Sequence, residues 1–162
     1  MNLIRQVICL YNVRIIKLTQ LIKTNTIKII FMEKNMAIEI PGLDVDKGLD
    51  LCDGNLDIYL RILRCYVLDI TAALEIINNI SEENLALYAK TVHGIKGTSE
   101  AIGAEEARIM AKELEQMGKA NNLSGVLEKN NAFVKYITNL LENIKAWLEK
   151  YDAAEEGKAK PK

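Results

Sequence analysis

The chain has 162 residues, of which 49% are hydrophobic and 27% charged, and its formal net charge at pH 7 is −1. This length supports one domain with a sizeable core, and the balanced charge argues against nucleic acid as the main partner. Two prolines, few aromatic residues and abundant Leu, Ile, Ala, Glu and Lys favour an all-helical fold. The chain has three cysteines, Cys9, Cys52 and Cys65. Their number is odd and their spacing is not that of a metal site, so we expect reduced thiols in the cytoplasm.

Residues 1–36 form a basic leader, in which positions 1–35 carry six Lys or Arg residues against a single acidic residue, Glu33. Its apolar runs are too short to span a membrane, and it has neither a signal-peptide core nor a cleavage site. We favour a translated leader that precedes a true start at Met32 or Met36. Two alternatives stay open: a basic amphipathic segment that contacts a membrane or a partner, and an ordered extra helix.

Helical periodicity and turn residues divide the rest of the chain into one short and four long helices. The short helix is expected at Val45–Cys52, and Asn55 and Ser124 are the expected N-caps of the first and the last long helix. The long helices are expected at about 56–78, 82–101, 104–120 and 125–151. The bundle would then occupy residues 37–151, followed by a charged, Ala-rich tail at 152–162 that we expect to be disordered.

The apolar stripe of the second long helix predicts which of its side chains face solvent. Its positions recur at spacings of three and four residues, as in a helix that packs in a bundle; they are Leu85, Tyr88, Val92, Ile95, Ser99 and Ile102. His93, Lys96, Gly97 and Glu100 fall outside this stripe. The only histidine of the chain is therefore expected to be exposed.

His93, Lys96 and Gly97 share one patch of that helix, because residues three and four apart are neighbours on a helix surface. A lone His and a nearby Lys are usually an ordinary solvated face, but Gly94 and Gly97 each cost about 1 kcal/mol relative to Ala inside a helix. Gly97 clears space one turn beyond the ring, and Lys96 places a cation beside it. An accessible imidazole, a cation and open space suit a histidine that becomes phosphorylated.

The run from His93 to Ala104 resembles the motif of the His-containing phosphotransfer (Hpt) domain. That motif reads His, any residue, Leu or Ile, Lys, Gly, a small residue and Ser, and three residues later an apolar residue, Gly and Ala. The chain matches this motif at each of these positions, with His93-Gly94-Ile95-Lys96-Gly97-Thr98-Ser99 followed by Ile102-Gly103-Ala104. The resemblance covers roughly residues 40–151 and implies an all-α, antiparallel four-helix bundle, here with a short extra N-terminal helix.

The resemblance implies a phosphocarrier in a multistep two-component phosphorelay, and not an enzyme that turns over alone. His93 would accept a phosphoryl group at its Nε2 atom from a receiver-domain aspartate and pass it to another receiver. Lys96 would stabilise the phosphoryl group, and Gly97 would give the partner steric access to the ring.

A second group is expected to orient the other ring nitrogen, and the family often has Gln or Glu in that neighbourhood. If the helices on either side of Gly103 form an antiparallel hairpin, residues near 113 lie level with His93. Glu115 is then the best candidate for the orienting group, with Gln116 and Lys112 behind it. The alternative for Glu115 is an ordinary solvated face.

The resemblance implies response-regulator receiver domains and a hybrid sensor histidine kinase as partners. The chain itself shows neither a Gly-rich nucleotide loop nor the Asp-rich signature of a receiver. In this family Mg²⁺ and the acceptor Asp belong to the partner, so we expect no cofactor here. Ile58, Ile62 and Cys65, on the first long helix, are candidates for the receiver-docking surface. The alternative is that they pack under the short first helix. We expect a monomer.

Three competing interpretations stay open. The first is a helical docking module that binds receivers without being phosphorylated; Lys96 and Gly97 argue against it. The second is an enzyme or a metal site that uses His93, which would need carboxylates alone as further ligands. The third is the phosphoacceptor module of a chemotaxis-type kinase, which we disfavour because no kinase domain follows.

Overall fold

The computed structural model describes residues 38–158, which form five helices and no strand. In chain order the helices are α1 (Val45–Asp50), α2 (Leu56–Asn78), α3 (Leu85–Ala101), α4 (Glu105–Lys119) and α5 (Leu123–Lys158). The expected basic leader at residues 1–36 lies outside the described residues. Within residues 38–158, no helix combines the length and the apolar character that crossing a membrane requires.

The four long helices close into an antiparallel bundle. α2 packs on α3 and α5, and α4 packs on the same two helices, so that the four surround one core. The most extensive contact joins α3 and α4, which the short connection at residues 102–104 turns into a hairpin. This architecture confirms the all-α four-helix bundle that the sequence predicts.

The apolar stripe of α3 faces the core, as its periodicity predicts. Every position of the stripe is buried; the residues are Leu85, Tyr88, Val92, Ile95, Ser99 and, just past the helix, Ile102. His93, Gly97 and Glu100 are exposed, and Lys96 is partly buried. The prediction of an exposed histidine is therefore confirmed.

Tyrosine hydroxyls in the core have hydrogen-bond partners, as buried polar groups require. The Tyr59 hydroxyl donates to the carbonyl of Ile102 at 2.9 Å, and the hydroxyls of Tyr66 and Ser99 lie 3.1 Å apart. Tyr88 donates in the same way to Oδ1 of the buried Asn130, at 2.8 Å. The first two contacts join α2 to the C-terminal end of the α3 segment and so fix the position of the helix that carries His93.

Gly103 makes the corner between α3 and α4, as expected. Its φ of +79° lies in the left-handed region that favours glycine, and its carbonyl accepts a hydrogen bond from the Asp44 N–H at 2.9 Å. A Cβ at Gly103 would lie 2.1 Å from the carbonyl oxygen of Asp44. The chain before α1 therefore packs directly on this corner, and Gly48 of α1 packs against the ring of Tyr59.

One of the two expected N-caps is confirmed. The side chain of Asn55 caps α2 by accepting a hydrogen bond from the Ile58 N–H at 3.2 Å. The expected cap of the last helix is wrong, because α5 begins at Leu123 and Ser124 already lies in its first turn. Asn122 caps this helix instead, since its Oδ1 atom accepts hydrogen bonds from the Gly125 N–H and the Ser124 hydroxyl, both at 3.0 Å.

The last helix is longer than the sequence analysis predicts. α5 continues to Lys158, so the expectation that the chain is disordered from residue 152 is wrong for residues 152–158. These residues are mostly Ala and Glu, which are strong helix formers, and Asp152 lies 2.5 Å from the guanidinium of Arg64 on α2. Residues 159–162 of the expected tail lie outside the described residues.

Gly103→Ala is expected to lower the free energy of unfolding by about 2 kcal/mol or more. The new methyl group would clash with the carbonyl oxygen of Asp44, and alanine is strained at the left-handed φ of this position. Gly94→Ala is the matched control, since a Cβ at Gly94 meets no atom within 4 Å. It is expected to raise the free energy of unfolding by up to about 1 kcal/mol. Urea unfolding followed by circular dichroism measures both, and a Gly103→Ala protein as stable as the wild type would contradict this account of the corner.

Candidate functional site

The only histidine of the chain lies at the middle of α3, on the side away from the core. The His93 side chain is 60% exposed, whereas the neighbouring Val92 is fully buried. A Cβ at Gly94 or at Gly97 would meet no atom within 4 Å. Packing within the described part of the chain therefore explains neither glycine, and together they leave an open surface around the imidazole.

A nearly buried carboxylate on the neighbouring helix holds the imidazole. The side chain of Glu115 on α4 is only 5% exposed, and its Oε1 atom lies 2.8 Å from Nδ1 of His93. One turn away α3 and α4 approach closely, since a Cβ at Gly118 would lie 2.9 Å from Cβ of Ala89. A carboxylate that is shielded from water in this way needs hydrogen-bond partners from the protein.

Two lysines complete the partners of Glu115. Lys96, one turn after His93 on α3, places its Nζ atom 2.6 Å from Oε2. Lys119, one turn after Glu115 on α4, places its Nζ atom 2.5 Å from Oε1. The Nζ atom of Lys96 also lies 3.4 Å from Nδ1 of His93. We call His93, Lys96, Glu115 and Lys119 the Glu115 cluster.

These contacts keep Glu115 ionised and place its Oε1 atom where it can accept a hydrogen bond from Nδ1 of His93. Hydrogen bonds from Lys119 and Lys96, with a further contribution from His93, lower the pKa of Glu115 to about 2, although burial opposes this shift. An ionised carboxylate only accepts hydrogen bonds, so Nδ1 carries the proton that it donates to Oε1. In the neutral ring the other nitrogen, Nε2, then has the lone pair that a nucleophile needs.

The structure brings the predicted residues His93, Lys96 and Glu115 together and leaves open space at Gly97. Of the three residues that the sequence analysis considers on α4, Glu115 is the one that contacts the ring, whereas Gln116 and Lys112 are exposed. The roles of these residues stay predictions.

The sequence analysis did not single out the fourth member of the cluster, Lys119. A Lys four residues after a Glu on one helix is a common stabilising pair, and this spacing is the signal that could have identified it.

The position of this site within the chain agrees with a comparison to known families. The family model described as the Hpt domain matches residues 56–147, which is more than half of the chain. The chain belongs to the Hpt domain family. Hpt domains have a phosphotransfer role in two-component phosphorelays, interact with receiver domains and kinases, and are phosphocarriers, not catalysts. A search of curated proteins and a search of solved structures find no match.

Two of the three residues suggested for a docking surface on α2 are exposed in this Hpt domain. Ile58 is 46% exposed and Cys65 is an exposed free thiol, whereas Ile62 is partly buried against the core. α1 packs on the ring of Tyr59 through Gly48. The alternative that all three residues pack under the short first helix is therefore wrong for Ile58 and Cys65.

Glu115→Gln is expected to lower the free energy of unfolding by about 2 kcal/mol at neutral pH, because an amide cannot replace the charge that pairs with two lysines in a nearly buried site. The folded-state pKa of Glu115, about 2, lies below that of an unfolded glutamate, about 4.3. The stability that comes from its ionisation is therefore fully present above about pH 4.3 and is lost as the pH falls towards 2.

Urea unfolding of wild type and variant over this pH range measures the effect. Glu113→Gln is the control, because Glu113 lies on the same helix and pairs with Lys129 in a contact where both side chains are about half exposed. Its replacement is expected to change the free energy of unfolding by less than about 1 kcal/mol. Equal losses for the two variants, or a Glu115→Gln difference that stays constant as the solution is acidified, would contradict the account of the cluster.

Proposed function

We propose that this Hpt domain accepts a phosphoryl group on His93 from the aspartate of a receiver domain and passes it to the aspartate of another receiver. The observation that supports this most is the 2.8 Å contact between Nδ1 and the ionised Glu115. In the neutral ring this contact leaves the lone pair on Nε2, and the side chain is 60% exposed. Such a protein carries phosphoryl groups between partners and does not turn over alone.

In the first transfer, the lone pair of Nε2 attacks the phosphorus of the aspartyl phosphate. The N–P bond forms while the bond between phosphorus and the aspartate oxygen breaks, and the aspartate leaves as a carboxylate. The proton on Nδ1 stays on the ring, so the phosphorylated imidazole is positively charged. Glu115 stabilises this charge, as the buried Asp of a Ser-His-Asp triad stabilises its imidazolium. Transfer to the second receiver reverses these steps.

The other motif residues act on the phosphoryl group and on access to it. Lys96 supplies a cation for the phosphoryl oxygens, and Gly97 leaves space for the active-site loops of the receiver. In this proposal the acceptor Asp and Mg²⁺ belong to the receiver, so the Hpt domain needs no cofactor.

The proposed source of the phosphoryl group is a hybrid sensor histidine kinase. The proposed location of the relay is the cytoplasm, which agrees with the free thiols of Cys52 and Cys65.

A docking module that binds receivers without being phosphorylated would use the same surface, including the exposed Ile58 and Cys65 on α2. Such a module would need no carboxylate to orient the ring, because it would form no bond at Nε2. The Glu115 contact therefore favours the carrier over the docking module, and a transfer experiment separates the two.

Wild-type protein is expected to take radiolabel from a phosphorylated receiver domain, and the label should be acid-labile and alkali-stable, as phosphohistidine is. His93→Gln is expected to take none, because glutamine offers no nucleophilic ring nitrogen. Lys96→Ala is expected to slow the transfer about tenfold or more, since the phosphoryl oxygens lose a charge-assisted hydrogen bond. A wild type that binds a panel of receivers but takes label from none would favour the docking module.

Gly97→Leu is expected to slow transfer from a receiver about tenfold or more, because the new side chain fills the approach to the ring. Its stability should equal or exceed that of the wild type, since leucine is a good helix former and no atom lies within 4 Å of the new Cβ. The control is Gly157→Leu, near the end of α5, where a Cβ also meets open space. A Gly97→Leu protein that accepts label as fast as the control would show that Gly97 is not needed for access.

A further inference from the structure

Lys119 is the member of the Glu115 cluster to which the phosphotransfer mechanism assigns no task. It lies outside the motif that begins at His93, and its side chain is 64% exposed. Its Nζ atom nevertheless lies 2.5 Å from Oε1 of Glu115, the atom that also accepts the Nδ1 proton. A contact between two exposed groups would contribute little, but here the carboxylate is nearly buried and depends on protein partners for its charge.

In the proposed mechanism Lys96 has two partners, Glu115 before the transfer and the phosphoryl group after it. In the unphosphorylated protein its Nζ atom lies 2.6 Å from Oε2 of Glu115 and 3.4 Å from Nδ1 of His93. It is therefore on the Nδ1 side of the ring, whereas a phosphoryl group would be attached at Nε2. Phosphoryl oxygens at Nε2 would draw Lys96 away from Oε2, and Glu115 would then lose one of its two ammonium partners.

We propose that Lys119 keeps Glu115 paired while Lys96 moves from Oε2 to the phosphoryl group; this inference rests on the proposed phosphorylation of His93. With Lys119 in place, Oε1 still accepts from an ammonium group and from the ring after Lys96 has left. Without Lys119, the departure of Lys96 would leave a nearly buried carboxylate with the ring as its one remaining partner in the cluster. Glu115 would then hold Lys96 back from the phosphoryl group.

Lys119 is by this account a positioning residue that acts through Glu115 and Lys96, without touching the phosphoryl group. The Lys119–Glu115 contact is also the largest contribution to the low pKa of that carboxyl, which agrees with a Glu115 that stays ionised throughout the transfer. The same contact thus serves the proton on Nδ1 and the release of Lys96.

Phosphoramidate provides a test that needs no receiver. The imidazole nitrogen attacks its phosphorus, the new N–P bond forms while the P–N bond of phosphoramidate breaks, and ammonia leaves. The rate at which the full chain is phosphorylated, followed by ³¹P NMR, is expected to fall about tenfold in Lys119→Met, because Lys96 is no longer released. Lys119→Arg keeps the charge and is expected to restore the rate to within about threefold of wild type.

Lys112→Met is the matched control, because Lys112 is an exposed lysine on the same helix, three residues before Glu115. It removes the same charge and is expected to leave the rate within about twofold of wild type. In the double variant Lys96→Met/Lys119→Met, the two losses should not multiply, because Lys119 acts through Lys96. Urea unfolding of each variant verifies that it is folded.

The inference is overturned if Lys119→Met reacts as fast as wild type, if Lys112→Met loses as much, if Lys119→Arg fails to restore the rate, or if the losses multiply in the double variant. A wild type that does not react with phosphoramidate also overturns it. A wild type that reacts with phosphoramidate but takes no label from receivers would instead refute the proposed function, and the comparison of the lysine variants would still stand.

Discussion

The contact between the Glu115 carboxylate and Nδ1 of His93 is the interaction on which the site depends. Burial alone would favour the neutral carboxyl group, which donates as well as accepts hydrogen bonds. Lys119 and Lys96 reverse that preference and keep the group ionised. Two ammonium groups therefore keep the carboxylate that contacts Nδ1 in the form that only accepts a hydrogen bond, and we expect this to place the proton of the neutral imidazole on Nδ1.

The bundle creates this contact through the hairpin of α3 and α4. Gly103 allows a tight corner, and Gly118 lets α4 approach Ala89 on α3, so that a glutamate side chain is shielded from solvent and still reaches the ring. These two glycines are required by the fold. Gly94 and Gly97 differ from them, because a side chain at either would meet open space. Packing within residues 38–158 therefore explains neither of them. In the proposed mechanism they keep the approach to the ring open for the receiver.

Much of this arrangement could be predicted from the sequence. The spacing of apolar residues on α3 places His93 on the exposed side, and the hairpin about Gly103 brings residues near 113 level with it, within two positions of Glu115. Whether Glu115 turns inwards could not be predicted, because its burial depends on how closely two helices pack. The motif match through Ala104 identified the family, since it constrains many positions at once.

Composition gives the wrong prediction for the C-terminal segment, because its structure depends on tertiary contacts. A charged, Ala-rich segment after Tyr151 indicates disorder, yet its Ala and Glu residues extend α5, and Asp152 pairs with Arg64 on α2. Lys119 was overlooked for a related reason. An exposed lysine is ordinarily solvated. The ion pair of Lys119 is stronger than an ordinary surface pair only because its partner, Glu115, is buried.

The most direct test of the central claim is the tautomer of His93, read from the ¹⁵N chemical shifts of its ring. The chain has one histidine, so the assignment is unambiguous. At about pH 8, where an ordinary imidazole is neutral, we expect a protonated Nδ1 and an unprotonated Nε2 in the wild type, and the loss of this preference in Glu115→Ala. A wild-type ring that is protonated mainly at Nε2 would contradict the account, because the nitrogen assigned as the nucleophile would then lack its lone pair.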